Sequence, residues 1–199
     1  MTRIVGGVAG GRRLRTPSGE RTRPTSDRVR EALFSALEAR LGGFEGLRVL
    51  DLYAGSGALG LEAWSRGASA LTLVERDRAT AGLVRRNAAD VGCDVADVVT
   101  ASVATALGRE PAAPYDVVLA DPPYPVGEPE LTAALAALVD GGWLADDAVL
   151  VVERSARSPE PTLPAGLEVE RGRTYGETAL WYLRAAGPEP ADEPGDEGV

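Results

Sequence analysis

Short apolar runs alternate with helical stripes through the middle of the chain. Arg48–Leu52, Ala70–Glu75, Asp94–Thr100, Tyr115–Asp121 and Ala148–Glu153 are brief and mostly apolar, as strands buried on both faces are. Between them the apolar positions take a helical period. One helix runs from the glycines at 57–60 through Trp64 to Gly67, a second from Arg78 to about Ala89, and a third from Leu131 to Val139, closing at Gly141-Gly142. Leu167–Arg173 and Thr178–Leu183 read as a final antiparallel pair. Strand and helix in alternation predict an α/β fold with a mostly parallel seven-stranded sheet.

Upstream, Val29, Leu33, Leu37 and Leu41 recur every four residues, with Ala32 and Ala36 beside them, which makes an amphipathic helix. Thr25 or Ser26 is the expected N-cap, Asp27 sits near the positive end of the dipole, and Gly42-Gly43 stops the helix. Ahead of it, Arg3–Leu14 reads as two short strands around a glycine turn.

The 199 residues suffice for one domain with a small appendage. The expected division is a basic hairpin or arm over residues 1–22, a main domain over 23–185, and a disordered acidic tail over 186–199. No apolar run approaches the roughly 18 residues of a membrane helix, and the N-terminus has no signal-peptide pattern, so a cytoplasmic protein is expected. Histidine is absent and Cys93 is the one cysteine. That excludes an internal disulfide, the usual zinc ligand sets and Ser-His-Asp catalysis. No metal is expected. Cys93, with no basic neighbour, reads as a packing residue. Chemistry therefore falls to carboxylates, backbone groups, Arg, Tyr or a reactive cofactor.

A net charge of −9 speaks against nucleic acid, but its distribution does not. Arg3, Arg12, Arg13, Arg15, Arg21, Arg23, Arg28 and Arg30 face only Glu20 and Asp27 within the first 30 residues. Such an arm suits a phosphate backbone; a solvated leader is the plainer alternative.

Gly55-x-Gly57-x-x-Gly60 follows a strand and opens a helix, and Glu75 ends the next strand 20 residues after Gly55. Glycines allow close backbone approach, and the acid accepts from ribose hydroxyls. This layout fits NAD and S-adenosylmethionine (SAM) alike. Asp51, four residues before Gly55, separates them, because a carboxylate there repels a pyrophosphate and suits a cationic ligand such as SAM. Asp121-Pro122-Pro123-Tyr124 closes the fourth strand. Two prolines make a stiff turn, and its carbonyls with a carboxylate and a ring can grip a flat group bearing N–H donors; the plain reading is a Pro-rich turn capped by Asp.

Asp51-Leu52-Tyr53-Ala54-Gly55-Ser56-Gly57-Ala58-Leu59-Gly60, Glu75 and Asp121-Pro122-Pro123-Tyr124 resemble the motifs of class I SAM-dependent amino-methyltransferases. The leader, the run Arg23–Phe34 and Tyr175-Gly176-Glu177-Thr178 resemble the RsmD family, over roughly residues 3–184. The resemblance implies a Rossmann-like fold, SAM as cofactor, and methylation of the N2 amine of a guanine in 16S ribosomal RNA, free or within an assembling small subunit, by a monomer. It further implies a catalytic role for Asp121, Pro122, Pro123 and Tyr124. Cofactor contacts fall to Asp51, Tyr53, Ala54, Gly55, Gly57, Glu75, Arg76, Ser102 and Asp121. Arg3, Arg12, Arg13, Arg15, Arg23, Arg28, Tyr124 and Tyr175 are the implied RNA contacts. Ser102 stands where the family usually has an adenine-contacting Asp. Rival readings are a DNA adenine or cytosine amino-methyltransferase, which the lack of a sequence-reading domain disfavours, and an NAD-dependent oxidoreductase, which Asp51 disfavours.

Overall fold

The structure is a computed structural model that describes residues 2–17, 26–123 and 126–186. The N-terminal arm pairs β1 (Thr2–Arg3) antiparallel with β2 (Arg13–Leu14), as its glycine turn predicts. Helix α1 (Asp27–Leu41) starts where Ser26 Oγ accepts the N–H of Val29 and ends at Gly42 in the left-handed region. The main sheet holds β3 (Arg48–Asp51), β4 (Ala70–Glu75), β5 (Ala96–Thr100), β6 (Tyr115–Ala120), β7 (Leu144–Ser155), β8 (Leu167–Tyr175) and β9 (Thr178–Ala185). Their order is β5-β4-β3-β6-β7-β9-β8, parallel except for the β7–β9 and β9–β8 pairs.

The crossovers carry α2 (Ala58–Ser65), α3 (Arg78–Val91), α4 (Val103–Leu107) and α5 (Glu128–Asp140). The arm, α1, α2 and α3 cover one sheet face, with Ile4, Phe34, Leu61 and Val84 on Val49, Leu73, Val117 and Val151. Helices α4 and α5 cover the other, with Ala106, Leu135 and Leu138 on Leu50, Val118 and Leu150. Both sides of the middle strands are thus dry, which is why they are apolar without alternation.

Several bounds shift by two or three residues, as α5 does by starting at Glu128, and two elements differ further. Helix α4 escapes it because five residues carry too little period to read. Strand β7 begins at Leu144, where Asp146 and Asp147 interrupt the apolar pattern at its exposed start.

Strand order reverses between β3 and β6: the chain steps outward through β4 and β5, then returns to the other side of β3. In an open α/β sheet the crevice beyond the carboxyl ends of such strands is where ligands bind.

Candidate active site

Registry sets four carboxylates along that carboxyl edge. Asp51 pairs with Leu73 on one side and Leu119 on the other. Two residues further along each neighbour come Glu75 and Asp121, so Asp51 lies one pleat deeper and on the same face. Ala120 pairs with Val152, which brings Asp121 level with Glu153.

Asp51 is 1% exposed. Its Oδ2 accepts the N–H of Gly60 at 3.0 Å, while Oδ1 is buried with no hydrogen-bond partner. Burial pushes this carboxyl up to about 7; the backbone N–H groups of Gly60 and Tyr53 oppose the rise, and Glu75 adds to it. The close approach needs glycine at 60, since a Cβ there would stand 2.8 Å from Leu73 Cδ2 and 3.2 Å from Asp51 Oδ2.

Glu75 holds the glycine loop. Its Oε2 accepts from Gly55 N–H at 3.1 Å and its Oε1 from Asp77 N–H at 2.7 Å. Carboxylate oxygens each keep a second lone pair, so further donors can be accepted. The loop is closed by Gly57 N–H to the Ala54 carbonyl at 2.6 Å, with Gly57 at φ 80° as the turn into α2. The Tyr53 hydroxyl is buried without a partner, and burial followed by Glu130 pushes it up to about 12.

Asp121 follows β6 directly. The residue is half-buried. Burial first, then Glu153, then Asp51 hold it well above the ordinary carboxylate range. The Pro123 carbonyl accepts the N–H of Val126 at 2.9 Å, closing the turn. Tyr124 and Arg23 lie outside the described residues. Among the described residues no group of three or more Cys, Asp or Glu side chains is spaced to hold a metal ion.

The other expected residues are placed as follows. Ser102 caps α4: its Oγ accepts the N–H of Thr105 at 3.2 Å and lies 2.8 Å from the Thr105 hydroxyl. Arg76 and Arg28 are exposed, and Tyr175 is partly buried where β8 turns into β9, beside the carboxyl end of β7.

The arm is stitched to this site. Val5 and Gly6 donate their N–H groups to Glu62 of α2 at 2.6 and 2.8 Å, and Asn87 of α3 donates from Nδ2 to both the Arg15 and Ser56 carbonyls. Asn87 Oδ1 accepts back from Arg15 N–H at 2.9 Å. One buried amide thus joins the arm to the glycine loop. Arg3 pairs with Asp27 and Arg15 with Asp90, both exposed, and Arg12 donates to the Asp90 carbonyl; Arg13 is exposed. Asn87, Glu62 and Glu153 were not singled out for the site from sequence. Glu62, a lone acid in an apolar helix, is a signal that could have been read.

The family described as conserved hypothetical protein 95 matches residues 2–184 of this chain. Ribosomal RNA small subunit methyltransferase D of Escherichia coli is 40% identical over 192 residues, 96% of this chain and 94% of that protein. The chain belongs to the RsmD family of methyltransferases. The protein of the same description from Haemophilus influenzae is 36% identical, over 79% of this chain and 80% of its own length. The solved structure of Escherichia coli yhhF superposes with a TM-score of 0.80 at 36% identity, covering 92% and 97% of the two chains. As the resemblance implied, the fold is Rossmann-like, with its parallel core and antiparallel last pair.

Proposed function

We infer that this RsmD-family chain methylates the exocyclic N2 amine of a guanine in small-subunit ribosomal RNA, with SAM as methyl donor. The observation that carries the reading is the single row of Glu75, Asp51 and Asp121 at the strand-order reversal, beside a glycine loop and a proline turn. The name of the 40% identical Escherichia coli relative supports the ribosomal RNA substrate.

The residues fit SAM. The partnerless Asp51 Oδ1 is an acceptor for a cationic ligand, and its lifted titration drops when a positive group arrives. Glu75 retains lone pairs for ribose hydroxyls; Tyr53, Ala54, Gly55, Gly57, Arg76 and Ser102 complete the proposed contacts. When bound, SAM supplies an electrophilic methyl group on a sulfonium, so neither His nor metal is required of the protein.

The chain's own part is to hold the amine. A guanine amine is a weak nucleophile because its lone pair is delocalised into the ring, and it must leave base pairing to be reached. The Asp121 carboxylate and the Pro122 carbonyl accept its two N–H groups, since the Pro123 carbonyl is engaged in the turn. Accepting both turns the lone pair out of the ring plane. Tyr124 stacks on the base. Arg13, with Arg12, Arg15, Arg3, Arg23 and Arg28, meets phosphates, and Tyr175 flanks the site. Positioning and fixed charge account for most of the rate gain.

The test is mass mapping of methylated nucleosides in ribosomal RNA incubated with and without the protein. A single new N2-methylguanine in small-subunit RNA is expected; methylation of DNA or of another base would overturn the reading.

A further inference from the structure

The sheet ends at β8, an edge strand whose residues 170–174 are exposed. Its pairing with β9 slips by one residue: Val169 lies opposite Leu183, and Arg171, two residues on, lies opposite Tyr182. Glu170 is the extra residue, and such a slip changes which side chains face which side of a sheet. Beyond it Arg171, Arg173 and Tyr175 stand opposite Tyr182, Leu180 and Thr178. Leu180 and Tyr182 share a face with Val117, Leu119 and Val151, which is the face of the carboxylate row. Without the slip, β8 would present Glu170, Gly172 and Thr174 there. Gly172 fixes the phase. A Cβ on it would stand 2.8 Å from Trp181 Cζ3, so the indole packs on bare backbone on the opposite face.

Across the strands, Arg173 is level with Leu180, Leu180 with Glu153, and Glu153 with Asp121. Three strand spacings put the Arg173 backbone about 14 Å from that of Asp121. Charges along this edge are sorted. Away from the site, Glu170 accepts from Arg40 of α1 and Glu168 pairs with Arg184. Towards it, the exposed Arg171 and Arg173 form no ion pair among the described residues. Arg171 lies over the Tyr182 ring, its Cζ 4.6 Å from the centroid. Stacking holds a guanidinium in place and leaves its N–H donors available. The arm lies on the other side of the site: Arg12 and Arg15 are held at Asp90 of α3, which packs on β4 and β5. Basic groups therefore flank the carboxylate row on both sides.

We propose that β8 is a second RNA-binding element, across the site from the arm: Arg171 and Arg173 bind phosphates of the strand that carries the target guanine, and the slip in β8 turns them towards it. This rests on the reading of ribosomal RNA as the substrate. Phosphate contacts on both flanks fix the register of the strand, so that the base between them is presented at Asp121.

The experiment uses full-length Arg173→Ala, Arg171→Ala and the double variant, alone and combined with Arg13→Ala. Affinity for small-subunit ribosomal RNA is measured without SAM over a range of salt, and SAM affinity by calorimetry. Each single change in β8 lowers the salt slope by about 0.7–0.9 and weakens binding about fivefold at physiological salt. The double variant loses about twice that slope, and Arg13→Ala lowers it further, because the two sites are far apart. SAM affinity stays within about twofold. Arg173→Lys keeps the slope, since it keeps the charge. An unchanged slope in Arg173→Ala overturns the proposal, and that variant decides alone if Arg171→Ala uncovers Tyr182 and does not fold. Self-association of the double variant with RNA binding intact also overturns it, because the arginines then serve to keep a bare sheet edge from pairing. Absence of ribosomal RNA methylation by the unaltered protein would sink the substrate reading, while the salt slope without SAM still judges β8.

Discussion

Asp51 accepts the backbone N–H of Gly60 at 3.0 Å from a position that is almost fully buried. One carboxylate oxygen thereby fixes the start of α2, and the other is buried without a hydrogen-bond partner.

On the proposed reading of Asp51 as a SAM contact, this burial couples cofactor binding to a proton. Its folded value of about 7 lies above the ordinary 3.8, so the folded state holds a proton that the unfolded chain releases. The associated stability is complete below pH 4 and is lost as pH rises through 7, on the order of 4 kcal/mol in all. Asp51→Asn should flatten that decline in chemical denaturation of the ligand-free protein. A cationic ligand favours the ionised form, so SAM binding near pH 6 should release a proton, seen by calorimetry in buffers of different ionisation enthalpy. Equal heats in all buffers would count against the role of Asp51.

Gly60→Ala tests the same contact from the other side. Its Cβ would press on Leu73 and Leu71 inside the core, at 2.8 and 2.9 Å. A loss of about 1–3 kcal/mol in folding stability is expected, with weaker SAM binding because Asp51 must give way.

Asp121→Ala should lower kcat by about 3 kcal/mol of transition-state stabilisation, by analogy with removing one oxyanion donor, and leave SAM affinity intact. In the unaltered protein the raised titration of Asp121 predicts an acid limb in kcat above the ordinary carboxylate range. Turnover near the unaltered level in Asp121→Ala would remove it from the mechanism.

Glu75→Ala leaves the Gly55 and Asp77 amides without their acceptor. Hydrogen bonds to a charged group contribute about 1.5–3 kcal/mol, so SAM affinity should fall about tenfold or more by calorimetry while kcat at saturating SAM changes little.

Arg13→Ala probes RNA binding without disturbing the fold. Deleting the whole arm would strip Ile4 and Leu14 from the core and confuse the two effects. Losing one phosphate contact should lower the salt slope of RNA affinity by about 0.7–0.9. An unchanged slope would place the RNA elsewhere.

Much of the fold was legible because periodicity reports burial. Strand β4 was bounded correctly at both ends, and α1 began at Ser26, one of its two expected caps, and stopped at its expected glycine. The Asp51, Gly55–Gly60, Glu75 and Asp121 positions could be read as a candidate site because each closes a strand or opens a helix at a fixed local spacing. Glu153 could not. It looks like an ordinary polar residue at the end of an apolar segment, and its meaning depends on which element stands opposite.

By itself, then, the sequence determined the alternation of strand and helix, the caps, and the residue types available for chemistry, since these follow from neighbours within a turn or two of chain. Only the tertiary structure decided that β6 returns beside β3, bringing Asp121 next to Asp51 across 70 residues of chain. It also decided that the arginine-rich arm is no free tether but is held to the glycine loop through Asn87. Both are long-range pairings. They are fixed by the register of buried surfaces and the satisfaction of buried polar groups, and no local pattern encodes either one.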